Sequence, residues 1–319
     1  MTTTLAINIG GTTTKWALVP HETPDQFHVM ACESHATLEK FRAFLTRLAL
    51  GLAITPDRVT IGFPGPVNSS GQVSVACTWM PGQDLGNFDL KAETQRIWPN
   101  AQVSVINDVS AYGQFLLQKG HRDFCVLNIG SGIGSKLYIS GLEVVGPSYR
   151  GGEIGHWADP AVSAELVCDC GGARHVGAIS SGRGALRFAR LCMERNRQLH
   201  AQSQLYAVGN QPGALSSGQF ISAAKNLDPF AIEILSEAMA PLARAAALIH
   251  LASGCERFML VGGFAAALGS MLPALLARHS AAACWRNGFD WQSAYTLLLD
   301  EVRASLMGLH YHGVRCGSV

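Results

Sequence analysis

TLAINIGGTTTKWALV (residues 4–19) and FCVLNIGSGIGSKLYIS (residues 124–140) are the two stretches whose reading decides the fold. In each, an apolar run meets a glycine-rich turn and a second apolar run follows. The first pairs 4–10 with 14–19 around Gly10-Gly11-Thr12-Thr13. The second pairs 124–129 with 136–140 around Gly130-Ser131-Gly132-Ile133-Gly134. Short apolar runs separated by glycine predict strand, turn, strand. Because the pattern occurs twice, it predicts an internal repeat, two similar cores in tandem.

Outward from the first hairpin, 28–33 predicts a third strand, and 36–52 predicts a helix through Leu38, Phe41, Phe44, Leu45 and Leu48. Residues 58–63 predict a buried strand running into Pro64-Gly65-Pro66, and 103–107 another. Asp108 then stands at an N-cap position, opening a helix to about Lys119. Beyond the second hairpin, Gly141 to Gly184 is glycine-rich and mostly loop. Helical segments follow near 183–197, 216–225 and 229–253. A strand at 257–261, Gly262-Gly263, a helix over 264–278 and a last helix near 300–312 complete the chain. Strands alternating with helices predict an α/β protein. The boundary is expected between Lys119 and Asp123. That gives an N-terminal α/β domain over 1–118, joined by the last helix at about 300–319, and a larger C-terminal α/β domain over 119–299.

The chain has 319 residues, 48% hydrophobic and 15% charged, enough for one large or two medium cores. A formal net charge of +1 gives no electrostatic case for nucleic acid or an acidic membrane surface. No apolar run reaches the ~18–20 residues of a membrane span. The first residues read as a strand and turn, not as a basic segment followed by an apolar one, so no secretion signal is expected. Nine cysteines, an odd number, predict reduced thiols in a cytoplasmic protein.

Four features carry chemistry. Gly10-Gly11-Thr12-Thr13 and Gly130-Ser131-Gly132 follow strands; each is either a plain hairpin turn or a cradle where backbone N–H groups approach phosphate oxygens. The second is no dinucleotide fingerprint, because a strand follows it, and no Walker loop, because no Gly-Lys-Ser/Thr does. Asp108 ends a strand and opens a helix, so it is either a cap or a rigidly held base for an attacking hydroxyl. Cys168, Cys170 and His175 lie on one short knuckle, with His156 twelve residues before Cys168. Two thiols and two imidazoles suit a tetrahedral zinc site, the other reading being free thiols beside unrelated histidines. Gly262-Gly263 makes a strand–helix turn that could lie flat against an adenine or ribose.

Taken in order, these elements resemble the ROK family of sugar kinases over essentially the whole chain. Ile9-Gly10-Gly11-Thr12-Thr13-Thr14-Lys15 looks like the family's first phosphate motif and Asn128-Ile129-Gly130-Ser131-Gly132-Ile133-Gly134 like its second. Gly62-Phe63-Pro64-Gly65-Pro66-Val67 resembles its sugar-side loop, and Asn107-Asp108-Val109-Ser110-Ala111 the segment with its catalytic Asp. Glu153-Ile154-Gly155-His156 and Cys168-Asp169-Cys170-Gly171 resemble the signature that joins sugar recognition to zinc. Ser181-Gly182-Arg183-Gly184-Ala185-Leu186 and Val261-Gly262-Gly263 continue the match.

The resemblance implies a two-domain actin-like (ribonuclease H-like) fold with an interdomain active-site cleft, and ATP-dependent phosphorylation of the primary hydroxyl of a hexose or hexose-like substrate. It implies Asp108 as catalytic base, with Gly65, Asn107, Glu153 and His156 beside it at the substrate. It implies Gly10, Gly11, Thr12, Thr13, Lys15, Gly130, Ser131 and Gly132 on phosphate, Gly262 and Gly263 at the adenosine, Mg²⁺ with the ATP, and structural Zn²⁺ on His156, Cys168, Cys170 and His175. Homodimers are common in the family, and the residues mark no interface.

Several positions depart from the family pattern. Asn8 stands where it has an Asp that organises Mg²⁺, usually through water. His175 replaces the knuckle's third Cys, after Arg174 in place of a glycine. Gly177 replaces a Glu that contacts hydroxyls near the anomeric end, and Trp79-Met80-Pro81-Gly82 replaces an Asn-Leu-Pro-Gly segment. Losing an acceptor relaxes selection for the group that bonded it, so plain glucose is not expected to be the best substrate, and an amino sugar or a cyclitol lacking the ring oxygen is the reasonable expectation. The alternative function is a non-catalytic sugar-binding or sensing member. Asp108 speaks against that, since a pure binder needs no base, and the chain's opening on its first strand speaks against a repressor with a DNA-binding module.

Overall fold

The computed structural model describes residues 2–35, 37–195, 201–208, 212–285 and 288–316. The expected helix end at 196–197 and the terminal 317–319 lie outside the described residues. The chain divides into two compact units. One comprises Met1–Arg122, Tyr138–Gly152 and Asp300–Val319; the other comprises Asp123–Leu137 and Glu153–Leu299.

The first sheet is built from β1 (Thr3–Ile9), β2 (Thr13–Pro20), β3 (Met30–Glu33), β4 (Arg58–Phe63) and β7 (Gln102–Asn107), in the order β3-β2-β1-β4-β7. β1 is buried along its whole length, as a strand covered on both faces must be. It pairs antiparallel with β2 and parallel with β4, which in turn is parallel to β7. Helix α1 (Leu38–Gly51) is capped by Thr37, which accepts from the Lys40 N–H, and buries Phe41, Phe44 and Leu45. A short hairpin of β5 (Gln72–Val75) and β6 (Asp84–Asp89), leading into α2 (Leu90–Ile97), was not foreseen from the sequence.

Helix α3 (Asp108–Gln118) follows β7. Its cap corrects the sequence reading: the Asn107 carboxamide accepts from the Val109 and Ser110 N–H groups, at 2.9 and 3.3 Å. Asp108 is therefore the first helical residue and not the cap.

The second sheet is built from β8 (Phe124–Ile129), β9 (Ile133–Ile139), β10 (Leu142–Glu143), β11 (Phe258–Val261) and β12 (Tyr295–Leu297), in the order β10-β9-β8-β11-β12. β9 begins three residues earlier than the sequence reading put it, because Gly134 continues the strand. Counting along the chain, both sheets read third, second, first, fourth, fifth. The first and fourth strands are parallel in each, as are the fourth and fifth. The repeated sequence pattern is thus a repeated topology.

Helices α4 (Val176–Ser180), α5 (Gly182–Arg195), α6 (Ser217–Lys225) and α7 (Pro229–Ser253) cover the second sheet's unit. α7 starts with Pro229 after the cap Asp228 and ends at Gly254 in the left-handed region, φ +71°. The buried Asp228 carboxylate accepts from the Ala231 and Gln204 N–H groups and from the Ser203 hydroxyl, at 3.0, 2.7 and 2.9 Å. Asp228→Ala strands these buried donors. It is expected to cost about 2–3 kcal/mol, read as a lower denaturant midpoint at unchanged slope. The helix expected over 264–278 is two helices, α8 (Gly263–Leu268) and α9 (Met271–Ala283), broken at Gly269 with φ +62°.

After the short α10 (Trp291–Ala294), α11 (Glu301–Cys316) belongs to the first unit and crosses α3. A Cβ on Gly308 would stand 1.7 Å from the Ala111 carbonyl oxygen, so only glycine permits this crossing. Among the described residues no helix is long and apolar enough to cross a membrane.

Candidate active site

In the first unit the candidate residues gather at the carboxyl ends of β1, β4 and β7, the ends where parallel α/β sheets bind ligands. Asn8 lies opposite Gly62 in register, and Phe63 opposite Asn107. A Cβ on Gly62 would come 2.6 Å from Asn8 Oδ1 and 3.4 Å from Asp108 Cα. The bare glycine therefore keeps Asn8 and Asp108 side by side. Asn8 Oδ1 is buried and accepts no hydrogen bond among the described residues.

Asn107 uses both ends of its carboxamide. Besides capping α3, Nδ2 donates to the Gly65 carbonyl at 3.0 Å and reaches the Phe63 carbonyl at 3.5 Å. It thereby ties the Pro64-Gly65-Pro66 loop to the start of α3. With the capping done by its neighbour, the Asp108 carboxylate is not needed to start the helix. It acts on Tyr112, four residues along α3: burial pushes the Tyr112 hydroxyl well above its ordinary range, with Glu301 and then Asp108 adding to the effect. Tyr112 donates to Glu301 at 2.5 Å, and Lys15 Nζ reaches the other Glu301 oxygen at 3.4 Å. Neither Tyr112 nor Glu301 was singled out from the sequence. Trp79 packs edge-on to Phe41 and Phe63 in the core, so its ring fills space.

The Gly10–Thr13 turn closes through Gly10 N–H to the Thr13 carbonyl at 3.1 Å. Ser34, absent from the sequence reading, holds it: its N–H donates to the Thr12 carbonyl and its hydroxyl to the Gly10 carbonyl, at 2.8 and 2.6 Å.

In the second unit, the Gly130 turn closes through Gly130 N–H to the Gly132 carbonyl, and the first residue of α5 donates from Gly182 N–H to the Gly130 carbonyl at 2.8 Å. Gly262 has φ +99°, and a Cβ there would overlap Asn128 Oδ1 and the Ile129 backbone. The structure thus brings Gly130 and Gly262 together at the ends of β8 and β11, with Gly263 opening α8.

The knuckle gathers its four candidate ligands. Their ligating atoms on His156, Cys168, Cys170 and His175 all lie within 4.8 Å of one another. Cys168 Sγ is 3.8 Å from His156 Nδ1, and Cys170 Sγ is 3.2 Å from His175 Nδ1. Zinc–sulfur and zinc–nitrogen bond lengths give tetrahedral edges of roughly 3.3–3.8 Å, so a small contraction would close the site. Burial pushes the Cys168 thiol up to about 11, and burial with His156 pulls His175 down. The shift favours the neutral, ligating form of the His175 imidazole, while the Cys168 thiol needs a cation to ionise. Asp169, between the cysteines, anchors the knuckle to α5 through Arg183 and Arg187 at 2.9 and 3.2 Å.

Gly177 sits in α4 against this segment. A Cβ there would be 3.1 Å from the Gly155 carbonyl, so the residue that departs from the family pattern also sets a close contact. Glu153, just before His156, lies 3.8 Å from the buried ammonium of Lys136. The sequence reading missed Lys136; a lysine inside an apolar strand was the available signal.

Comparison with known proteins agrees with this geometry. The model of the ROK family matches residues 4–293. A C(7)-cyclitol 7-kinase of Streptomyces hygroscopicus subsp. jinggangensis is 35% identical over 261 residues, 82% of this chain and 71% of the relative. A 2-epi-5-epi-valiolone 7-kinase of Actinoplanes sp. is 28% identical, over 74% of this chain and 70% of the relative. The crystal structure of a ROK family glucokinase from Streptomyces griseus in complex with glucose and AMPPNP superposes with TM-score 0.79 at 20% identity, covering 98% of this chain and 99% of that one. With the two equivalent sheets, the glycine turns at their strand ends and a family match across nearly its whole length, the chain belongs to the ROK family.

Proposed function

We propose that this chain is an ATP-dependent kinase that phosphorylates the primary hydroxyl of a hexose-like acceptor, a cyclitol foremost. The observation that carries the reading is at the start of α3: Asn107 performs the capping, and Asp108 stands as the first helical residue beside Gly62 and Asn8, at the carboxyl ends of β1, β4 and β7. Asp108 takes the proton of the acceptor hydroxyl as that oxygen attacks the γ-phosphorus of ATP. Glu153 and His156 hold the acceptor's other hydroxyls. Asn107 positions, through the Gly65 loop and the helix start, and Lys15 stands on Glu301 near the first phosphate turn. The turns at Gly10–Thr13 and Gly130–Gly132 supply backbone N–H groups to the phosphates, and Gly262 and Gly263 leave room for the adenosine.

The buried, unbonded Asn8 oxygen fits a proton from a water on Mg²⁺, a cation that supplies charge neutralisation at the phosphates when bound. An amide there adds no negative charge, so the ATP phosphates carry more of the ion's binding. ADP release measured with a panel of hexoses and cyclitols tests the reading. Acceptor-dependent ADP is expected, and binding of an acceptor without any ADP would replace the kinase by a sensor.

Zinc on His156, Cys168, Cys170 and His175 takes no part in the reaction; it fixes the loop that carries Glu153 and His156. The purified protein is expected to hold one zinc per chain by elemental analysis. Cys168→Ser should empty the site and raise the acceptor KM about 10–100-fold. Full-strength acceptor binding by a metal-free Cys168→Ser protein would remove zinc from the account.

A further inference from the structure

Lys136 is 2% exposed, inside β9, and its ammonium forms an ion pair with Glu153 at 3.8 Å, itself 31% exposed. Burying an ammonium costs far more than a typical core residue gains, and lysines are almost never so buried unless paired. Glu153 is held beside the strand by a tight backbone contact: Gly155 comes so near Ile133 that a Cβ would meet its carbonyl oxygen at 2.4 Å. The pair is therefore a fixed element with its cation inside and its carboxylate facing out.

Resting on the kinase reading above, which puts Glu153 at the acceptor, we infer that Lys136 is a specificity-determining residue that selects an uncharged polyol and rejects an aminodeoxy sugar. The reasoning is one of donors and charge. A hydroxyl carries no charge, so it can give its proton to Glu153 without repulsion from the Lys136 ammonium behind it. A protonated amine has donors only, and seating it on Glu153 sets two cations within a few ångströms in a poorly solvated place. The Lys136 ammonium already offsets part of the attraction that Glu153 would offer a sugar ammonium.

The test compares kcat/KM for a hexose and its 2-amino and 3-amino analogues, first at neutral pH and then at a pH where the sugar amine is neutral. The wild-type protein should prefer the hydroxyl compound to at least one amine by about tenfold or more, and the preference should shrink as the amine loses its proton. Lys136→Met should bring the ratio down about tenfold while Lys136→Arg keeps it. Should Lys136→Met fail to fold with Glu153 left unpaired, the double variant Lys136→Met with Glu153→Gln removes both charges and should lose the discrimination. A wild-type ratio near one for both amines, or a ratio that Lys136→Met leaves unchanged, overturns the inference. Calorimetric binding of the same compounds gives the ratio without turnover. Charge discrimination that follows Lys136 in a chain releasing no ADP refutes the kinase reading and keeps this one.

Discussion

Asp108→Asn is expected to lower kcat by about 10³–10⁴-fold, the upper range for removal of a positioned general base. An amide cannot take the acceptor's proton, yet it has almost the same shape. Acceptor binding, measured by calorimetry, should stay within about threefold, because the loss falls on the transition state alone. Thermal stability should hardly move. The helix keeps its cap, since that is Asn107, and the lost first-turn carboxylate costs about 0.3–1 kcal/mol through the helix dipole. This combination separates the base from the cap: had Asp108 been the capping residue, the variant would lose stability as well as rate. Wild-type turnover in Asp108→Asn would end the assignment.

The largest loss of stability is expected from Gly308→Ala, a change of one methyl group. The new Cβ would lie 1.7 Å from the Ala111 carbonyl oxygen and close to the backbone of Phe115, and backbone atoms cannot rotate away. The α3–α11 crossing has to open. Overpacking a core costs about 1–3 kcal/mol when side chains can adjust, so about 3–4 kcal/mol is expected where the obstacle is main chain. Gly51→Ala is the control: it ends α1 with nothing within 4 Å of the added carbon. That variant should be neutral or gain up to about 1 kcal/mol. Because α3 begins with Asp108, the Gly308 variant should also lose turnover at temperatures where it remains folded. Unfolding midpoints of the two alanine variants, taken side by side, check the prediction. Equal midpoints would mean that the crossing tolerates a methyl group.

Much of the fold was legible wherever local chemistry decides the conformation. The limits of α7 were readable because Asp228-Pro229 can hardly do anything but start a helix and Gly254 stops it. The hairpins were readable because apolar runs flank their glycines. The cap was misplaced by one residue because Asn and Asp are equally good caps and stand next to each other, so only the hydrogen bonds decide. Gly134 looked like turn and proved to be strand, since sheet pairing overrides its local preference. The β5–β6 hairpin was missed because Gln72–Val75 and Asp84–Asp89 carry too few apolar residues to alternate visibly. The four knuckle ligands were legible because they lie within twenty residues of one another. Ser34, Tyr112, Glu301 and Lys136 were not, because each owes its importance to a neighbour far along the chain or to burial, and neither is written in local spacing.

α11 lies almost two hundred residues downstream of the sheet it completes, and this has a bearing on synthesis. Ribosomes emit chain at about 5–20 residues per second, so strands β1 to β7 wait roughly 10–40 s for the helix that packs on them. Throughout that interval Lys15 and Tyr112 lack the Glu301 carboxylate that joins them. The unit that holds the first sheet can therefore be completed only once its last helix has been made, after the whole of the second unit.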